Sequence, residues 1–206
     1  MNGKNLLEEA VQLKSIADVG LLYCTNEYDR ERYLAIAEIS LRLLNDLSQH
    51  PMELLREAFP LAKDYPTAKV DIRGLILSPE KEVLLVKEGA DKRWSLPGGW
   101  ADIGYSPKET IIKECKEETG LDVIPERLLA VFDKSKHNHP PQPEYVYKMV
   151  FLCKPVSFIL QKGHDVLDVK YFPVSGLPQL SENRILKSQI ELVYQKVKEE
   201  STAYFD

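Results

Sequence analysis

The stretch Gly98-Gly99-Trp100-Ala101-Asp102-Ile103-Gly104-Tyr105-Ser106-Pro107-Lys108-Glu109-Thr110-Ile111-Ile112-Lys113-Glu114-Cys115-Lys116-Glu117-Glu118-Thr119-Gly120-Leu121 joins a glycine-rich loop to a helix with clustered acids. Both ends of that helix are written in its residues. Ser106 can cap the free N–H groups, Pro107 suits the first helical position, Glu109 completes a capping box and Gly120 stops the run, so the stretch predicts a helix over 107–119. Ile111, Ile112, Cys115 and Thr119 fall on one side of it at helical spacing, and Glu114, Glu117 and Glu118 on another. Like charges so placed repel unless they are solvated or neutralised by a cation. Standing alone, the three acids would read as a solvated surface. With Pro97-Gly98-Gly99 directly upstream they read instead as ligands of a hard divalent ion, Mg²⁺ or Mn²⁺, which takes oxygen donors, keeps several waters and suits carboxylates facing a phosphate.

The segment resembles the Nudix box, the signature of hydrolases that cleave nucleoside diphosphates linked to another group X. The family pattern runs Gly, five residues, Glu, seven residues, Arg-Glu-aliphatic-X-Glu-Glu-X-Gly-aliphatic, and here it starts at Gly99 and ends on Gly120-Leu121. Tyr105 stands where the family has Glu and Lys113 where it has Arg, which suggests a pair replaced as a unit. The core Glu114, Glu117 and Glu118 is intact. Val70-Asp71-Ile72-Arg73-Gly74-Leu75-Ile76 and Glu82-Val83-Leu84-Leu85-Val86-Lys87 resemble the family's first hairpin, Trp94-Ser95-Leu96-Pro97-Gly98-Gly99 its strand into the box, and 168–178 its acidic-X-X-aromatic-Phe segment and Leu-Pro turn. A match in several parts is far more specific than one short pattern.

The resemblance implies an α/β (α+β) fold, a Nudix-type α/β/α sandwich with a mixed sheet, preceded by a small all-helical N-terminal domain. It implies metal ligation by Glu114, Glu117 and Glu118, with Gly98 counted at the metal as well. Catalysis is assigned to the same three acids with Asp165 and Asp168, Glu118 being the candidate base within the box and the two aspartates, with His164, the downstream ones. Substrate contacts are assigned to Arg73, Trp94, Gly98, Gly99 and His137, and from the N-terminal region to Tyr23, Tyr28 and Arg32. Lys92 and Arg93 are further partners for phosphate oxygens.

The 206 residues, 44% hydrophobic and 29% charged, suit a globular protein with one sizeable domain and a small one. The net charge of −5 argues against general nucleic-acid affinity, which rests on Lys and Arg at phosphates. Cys24, Cys115 and Cys153 are widely spaced, with neither a metal-type Cys-X-X-Cys nor a secretory signal, so reduced thiols in a cytoplasm are expected. No apolar run is long enough to span a membrane.

Residues 4–60 read as helical almost throughout. In a helix running from about Asp29 to Ser48, Tyr33, Leu34, Ile36, Ala37, Ile39, Leu41, Leu43, Leu44 and Leu47 occupy more than one face. A helix apolar on several sides must be buried on several sides, which points to packing on the catalytic domain or to a homodimer through these helices. Near Asp64-Tyr65-Pro66-Thr67 the pattern changes to strands, dividing the chain into a helical domain, 1–64, for dimerisation and substrate contacts, and a hydrolase domain, 65–206. Strands are expected at 70–77, 82–88, 121–132, 145–153 and 165–172, with a last helix at 181–200. Residues 134–143 form a proline-rich loop whose His137 and His139 lack companion metal ligands.

The expected activity is metal-dependent hydrolysis of the pyrophosphate bond of a nucleoside diphosphate linked to X. CDP-choline, giving CMP and phosphocholine, leads through the resemblance of 17–33 to the helical domain of some bacterial relatives; ADP-ribose, giving AMP and ribose 5-phosphate, stands beside it. The alternatives are an RNA end-processing hydrolase, against which the acidic charge weighs, and a non-catalytic nucleotide sensor, suggested by Tyr105 and Lys113.

Overall fold

The computed structural model describes residues 3–140, 142 and 144–206; Pro141 and Pro143 of the proline-rich loop lie outside the described residues. The chain divides into two compact units, one holding the N-terminal helices as far as Thr67, the other running from Ala68 to Pro140 and from Glu144 to Asp206.

In the first unit α1 (Gly3–Tyr23) and α2 (Glu27–Ser48) are followed by the short α3 (Met52–Ala58). Asn26 caps α2 by accepting the N–H of Asp29, which sets its start two residues before the position expected from the apolar pattern. Leu7, Ala10, Leu41, Leu44 and Leu55 form a small core. In the same unit Lys14 meets Asp18 at 2.6 Å, both buried. The other apolar faces of α2 are not covered: Leu34, Ile39, Leu43 and Leu47 are exposed, as are Leu13 and Ile16 of α1. The expectation of burial on several sides is therefore unmet within this unit.

The second unit holds β1 (Lys69–Ile76), β2 (Val83–Glu88), β3 (Trp94–Ser95), β4 (Gly98–Trp100), α4 (Pro107–Thr119), β5 (Val123–Asp133), β6 (Val146–Pro155), β7 (Val166–Phe172), α5 (Lys187–Lys198) and β8 (Tyr204–Phe205). A mixed sheet runs β4-β1-β6-β5-β8, with β1 parallel to β6 and antiparallel to β4. An antiparallel sheet runs β3-β2-β7. Successive strand residues face opposite sides, and β1 uses this fully. Ile72 and Ile76 pack with Ile111 and Cys115 of α4, while Leu75 packs with Val83, Leu85, Phe132 and Val150 and with Ile190 and Val193 of α5. Sheets lie between helices, the α/β/α arrangement expected.

Two expectations need correction. Ile112 is exposed rather than on the buried face of α4, where Thr110, Ile111, Cys115 and Thr119 sit instead. The last helix starts at Lys187 and not near 181, because Ser181 is drawn onto β3, its N–H donating to the Trp94 carbonyl at 2.7 Å while the Trp94 N–H donates to Gln179. The very short β3, β4 and β8 carry too few residues to show a strand period.

Candidate active site

Helix α4 is held at both ends by its own sequence. The Ser106 hydroxyl accepts the N–H of Glu109, whose carboxylate accepts the N–H of Ser106 at 2.8 Å, and Gly120 closes the helix at φ +74°. With Ile111, Cys115 and Thr119 locked into the core, the helix cannot rotate. Its acid-bearing side is thereby fixed, with Glu114 and Glu118 half-buried and Glu117 exposed.

The loop from β3 to α4 lies on those acids. Gly98 donates its N–H to Glu118 Oε2 at 2.8 Å. It adopts φ +135°, and a Cβ there would fall 2.1 Å from the Ile72 carbonyl oxygen. Gly99 sits against Glu114, whose Oε1 would be 3.0 Å from an added Cβ. Position 98 thus requires glycine for its backbone conformation and for room beside Ile72, while at 99 a Cβ would press on the Glu114 carboxylate. Gly98 and Gly99 thus sit at the acids. A third glycine went unnoticed there: the Gly163 N–H donates to the carbonyl of Glu118 at 3.1 Å, and a Cβ would collide with the Glu117 carbonyl at 1.9 Å. Its only sequence signal is a glycine after β6.

Burial pushes the Glu118 carboxyl up to about 8, against the opposing pull of the Arg73 guanidinium and the Gly98 N–H. Glu114 is also raised, by burial and then by the charge of Glu117. These acids are short of positive charge. Arg73 is the cation whose charge pulls most on both, but it is not the solvent-facing phosphate binder expected from the first strand. It is buried, with Nε on Asp71 at 2.9 Å, Nη1 on the Leu96 carbonyl at 3.0 Å and Glu88 3.7 Å away. Asp71 also pairs with the fully buried Lys148. Burial works against the Arg73 charge, and Asp71, Glu118 and Glu88 more than restore it. Arg73 thus supports the loop from behind, fixing Leu96 two residues before Gly98.

Tyr105 and Lys113, the two departures from the family pattern, do meet. Lys113 Nζ lies 5.2 Å from the Tyr105 ring centroid and 2.9 Å from Asp102 Oδ2. Asp102 supplies the carboxylate that the pattern places three residues later, and the link between loop and helix is kept.

The other expected residues are scattered. Asp165 is exposed, two residues beyond Gly163, and Asp168 is exposed on β7 opposite Lys87 with Oδ1 accepting the Val169 N–H. Trp94 packs edge-on against Phe172, 4.8 Å between centroids, at the margin of the core. His137 pairs with Asp206 at 2.9 Å and stacks edge-on against Phe132. His139 is the more unusual of the two histidines. It is buried, its Nδ1 is bonded to the Glu182 carbonyl, and its Nε2 has no hydrogen-bond partner among the described residues. In the N-terminal unit Tyr23 and Tyr28 are exposed and Arg32 is paired with Asp29 at 2.6 Å. Tyr23, Asn26, Asp29 and Tyr33 line a cleft of about 460 Å³ there.

The donor chemistry of Glu114, Glu117 and Glu118 fits a hard divalent cation: all are oxygen donors, and the two half-buried ones are held short of compensating charge. Among the described residues no three acids, histidines or cysteines are yet gathered around one point, so ligation calls for side-chain rotation on a fixed helix. No helix of the described residues is long and apolar enough to cross a membrane.

Comparison with known proteins adds the following. Residues 68–192 match the model of the NUDIX domain, and residues 4–59 match a UDP-X-like N-terminal oligomerisation domain. The Bacillus subtilis protein YjhB, provisionally named an ADP-ribose pyrophosphatase, is 40% identical over 91% of this chain and 90% of its own length. The crystal structure of a UDP-X diphosphatase matches over 100% of both chains at 35% identity and TM-score 0.64. That of an ADP-ribose pyrophosphatase from Streptococcus suis covers 68% of this chain and 100% of its own at 35% identity and TM-score 0.61.

Proposed function

The chain belongs to the Nudix family of hydrolases, and from that premise we propose that it cleaves the pyrophosphate bond of a nucleoside diphosphate linked to X, with ADP-ribose first among the substrates, a UDP-sugar second and CDP-choline third. The observation that carries the reading is the placement of Gly98 and Gly99 against Glu118 and Glu114. The ranking is supported by the names of the relatives: two are named ADP-ribose pyrophosphatases, the Bacillus subtilis one provisionally, and one, similar over the whole chain, is named a UDP-X diphosphatase. CDP-choline rests only on the resemblance of 17–33 and is placed last. A sensor without catalysis is set aside by family membership together with the intact acids.

Family members use divalent metal ions. We assign Mg²⁺ or Mn²⁺ to Glu114, Glu117 and Glu118; when bound, the ion neutralises the diphosphate and lowers the pKa of a water. The chain's own residues set the rest. The rigid α4 fixes the spacing of the acids, the Gly98 N–H orients Glu118, and Arg73 holds the loop that carries Gly98. Glu118 is the residue assigned to take a proton, because it lies among the acids assigned to the ion and the Gly98 N–H fixes its carboxylate there. Asp165 and Asp168 are solvated by comparison.

We assign residues 1–64 to dimerisation, with Leu34, Ile39, Leu43 and Leu47 as the contact, since such a row of exposed leucines and isoleucines on one helix is costly in water. Tyr23, Tyr28 and Arg32 remain candidates for substrate contact in the same domain.

The test is product release from ADP-ribose, UDP-glucose and CDP-choline with Mg²⁺ or Mn²⁺, for the wild type and Glu117→Gln. Metal-dependent formation of nucleoside monophosphate, lost in the variant, is the expected result. Turnover that persists in Glu117→Gln, or none with any of the three, overturns the assignment. Sedimentation of the wild type as a monomer would overturn the dimer.

A further inference from the structure

Trp100 is the residue after the two glycines that touch the catalytic acids, and its side chain is 50% exposed. An indole left half in water forgoes much of the burial that normally governs where tryptophan lies. It is not exposed because its backbone is loose. Trp100 closes β4 opposite Asp71 of β1, and the next residue, Ala101, donates its N–H to the Val70 carbonyl at 2.9 Å. The strand ladder therefore presents the ring at a fixed place, one residue beyond the contact of Gly99 with Glu114.

Two neighbours give the position its chemistry. Lys69 Nζ lies 5.5 Å from the Trp100 ring centroid and is itself mostly in solvent, with a long 3.6 Å contact to Glu144. A planar aromatic face beside an accessible ammonium matches the two parts of a nucleotide, a planar base and an anionic phosphate. On the same row of the sheet the next positions are Asp71 and Lys148, buried and paired with each other. They form a closed wall and take no part in docking. The indole is thus a half-exposed aromatic surface at this end of the catalytic loop, with Lys69 over one side of its ring.

We propose that Trp100 is a substrate-binding residue, stacking on the base of the nucleoside diphosphate whose phosphates lie at Glu114 and Glu118. The assignment rests on the hydrolase reading above and adds to it where the base lies. Stacking tolerates any base, so Trp100 contributes affinity for the nucleoside and leaves the choice between adenine and uracil to other groups.

The chain has two tryptophans, so in Trp94→Phe the emission reports Trp100 alone. AMP and UMP are expected to quench it saturably and ribose 5-phosphate to leave it unchanged. Should Trp94→Phe not fold, the difference in emission between the wild type and Trp100→Phe gives the same reading. Trp100→Ala is expected to raise KM for ADP-ribose roughly ten-fold or more with kcat within a few-fold, and Trp100→Phe to retain most of the affinity. Quenching by ribose 5-phosphate equal to that by AMP, or an unchanged KM in an active Trp100→Ala, overturns the stacking alone. A change of oligomeric state in Trp100→Ala, making the ring a subunit contact, also overturns it. Saturable quenching by AMP in a protein that hydrolyses no nucleoside diphosphate would sink the hydrolase reading while leaving the stacking in place.

Discussion

Replacing Glu118 with Gln should make the metal-free protein more stable while abolishing its activity. The carboxyl titrates near 4.5 when free and at about 8 in the folded chain, with burial as the main cause. Between these values the folded state keeps a proton that the unfolded chain has lost, so stability falls as pH rises through the window and is level above it. Each pH unit costs about 1.4 kcal/mol. From pH 4.5 to 7 the loss is about 3 kcal/mol, and by pH 8 it is about 4 kcal/mol.

Gln carries no charge, can still accept the Gly98 N–H, and has nearly the same volume, so it escapes this loss. In EDTA, Glu118→Gln should match the wild type near pH 4.5, exceed it by about 2–3 kcal/mol at pH 7, and exceed it by more at pH 8.5. Urea unfolding at these three pH values measures the difference. Saturating Mg²⁺ should then reverse the order, because the ion stabilises only a chain whose acids bind it. A variant no more stable than the wild type at pH 8.5 in EDTA would refute the reasoning, since Glu118 would then be ionised at no cost.

Gly98→Ala should cost at least a hundred-fold in kcat/KM and several degrees in Tm, since its Cβ would lie 2.1 Å from the Ile72 oxygen, whereas Gly104→Ala, at φ +95° with nothing within 4 Å, should lose only about 1 kcal/mol. Steady-state kinetics and thermal melts of the pair check both. His139 titrates at about 4, pushed down by burial, against an unfolded value near 6.5, so the folded chain resists a proton that the unfolded chain takes up; stability should fall by about 2 kcal/mol from pH 6.5 to 5, and His139→Gln should flatten that limb in urea titrations. Tyr105→Glu places an acid beside Lys113 and should alter a calorimetric metal titration; a titration superimposable on the wild type would separate this pair from the metal site.

What could be read in the sequence was local. Ser106, Pro107, Glu109 and Gly120 define α4 within a dozen residues, and the caps appear in the structure where their chemistry places them. The glycines at the acids were legible for the same reason. Arg73 was misread because its partners come from elsewhere: Leu96 lies 23 residues on, and Lys148, which completes the charge on Asp71, lies 77 residues from it. No window along the chain reveals that a strand arginine is enclosed by such groups. His137 and His139 invert in the same way, since the one expected to face substrate is paired with the C-terminal Asp206 and the one left as loop is buried. The apolar faces of α2 were legible in the sequence, and Leu34, Ile39, Leu43 and Leu47 are the exposed part of them.

The departures at Tyr105 and Lys113 bear on whether the site has decayed, and its charge balance argues that it has not. A decaying site loses the costly arrangements first, because nothing maintains them once activity is gone. Here the costly arrangements persist. Glu118 is still buried at the expense of stability, Gly98 still holds a φ of +135° that only glycine tolerates, and Arg73 is still enclosed in a network of buried ions whose desolvation must be offset. What changed is the exposed link, where an ion pair is worth little in stability and its residues are exchangeable. Lys113 keeps a carboxylate partner in Asp102 and an aromatic one in Tyr105. The substitution therefore falls where a clasp can be rebuilt from other residues, and the acids, the glycines and their buried support, which cannot be rebuilt that way, are all in place.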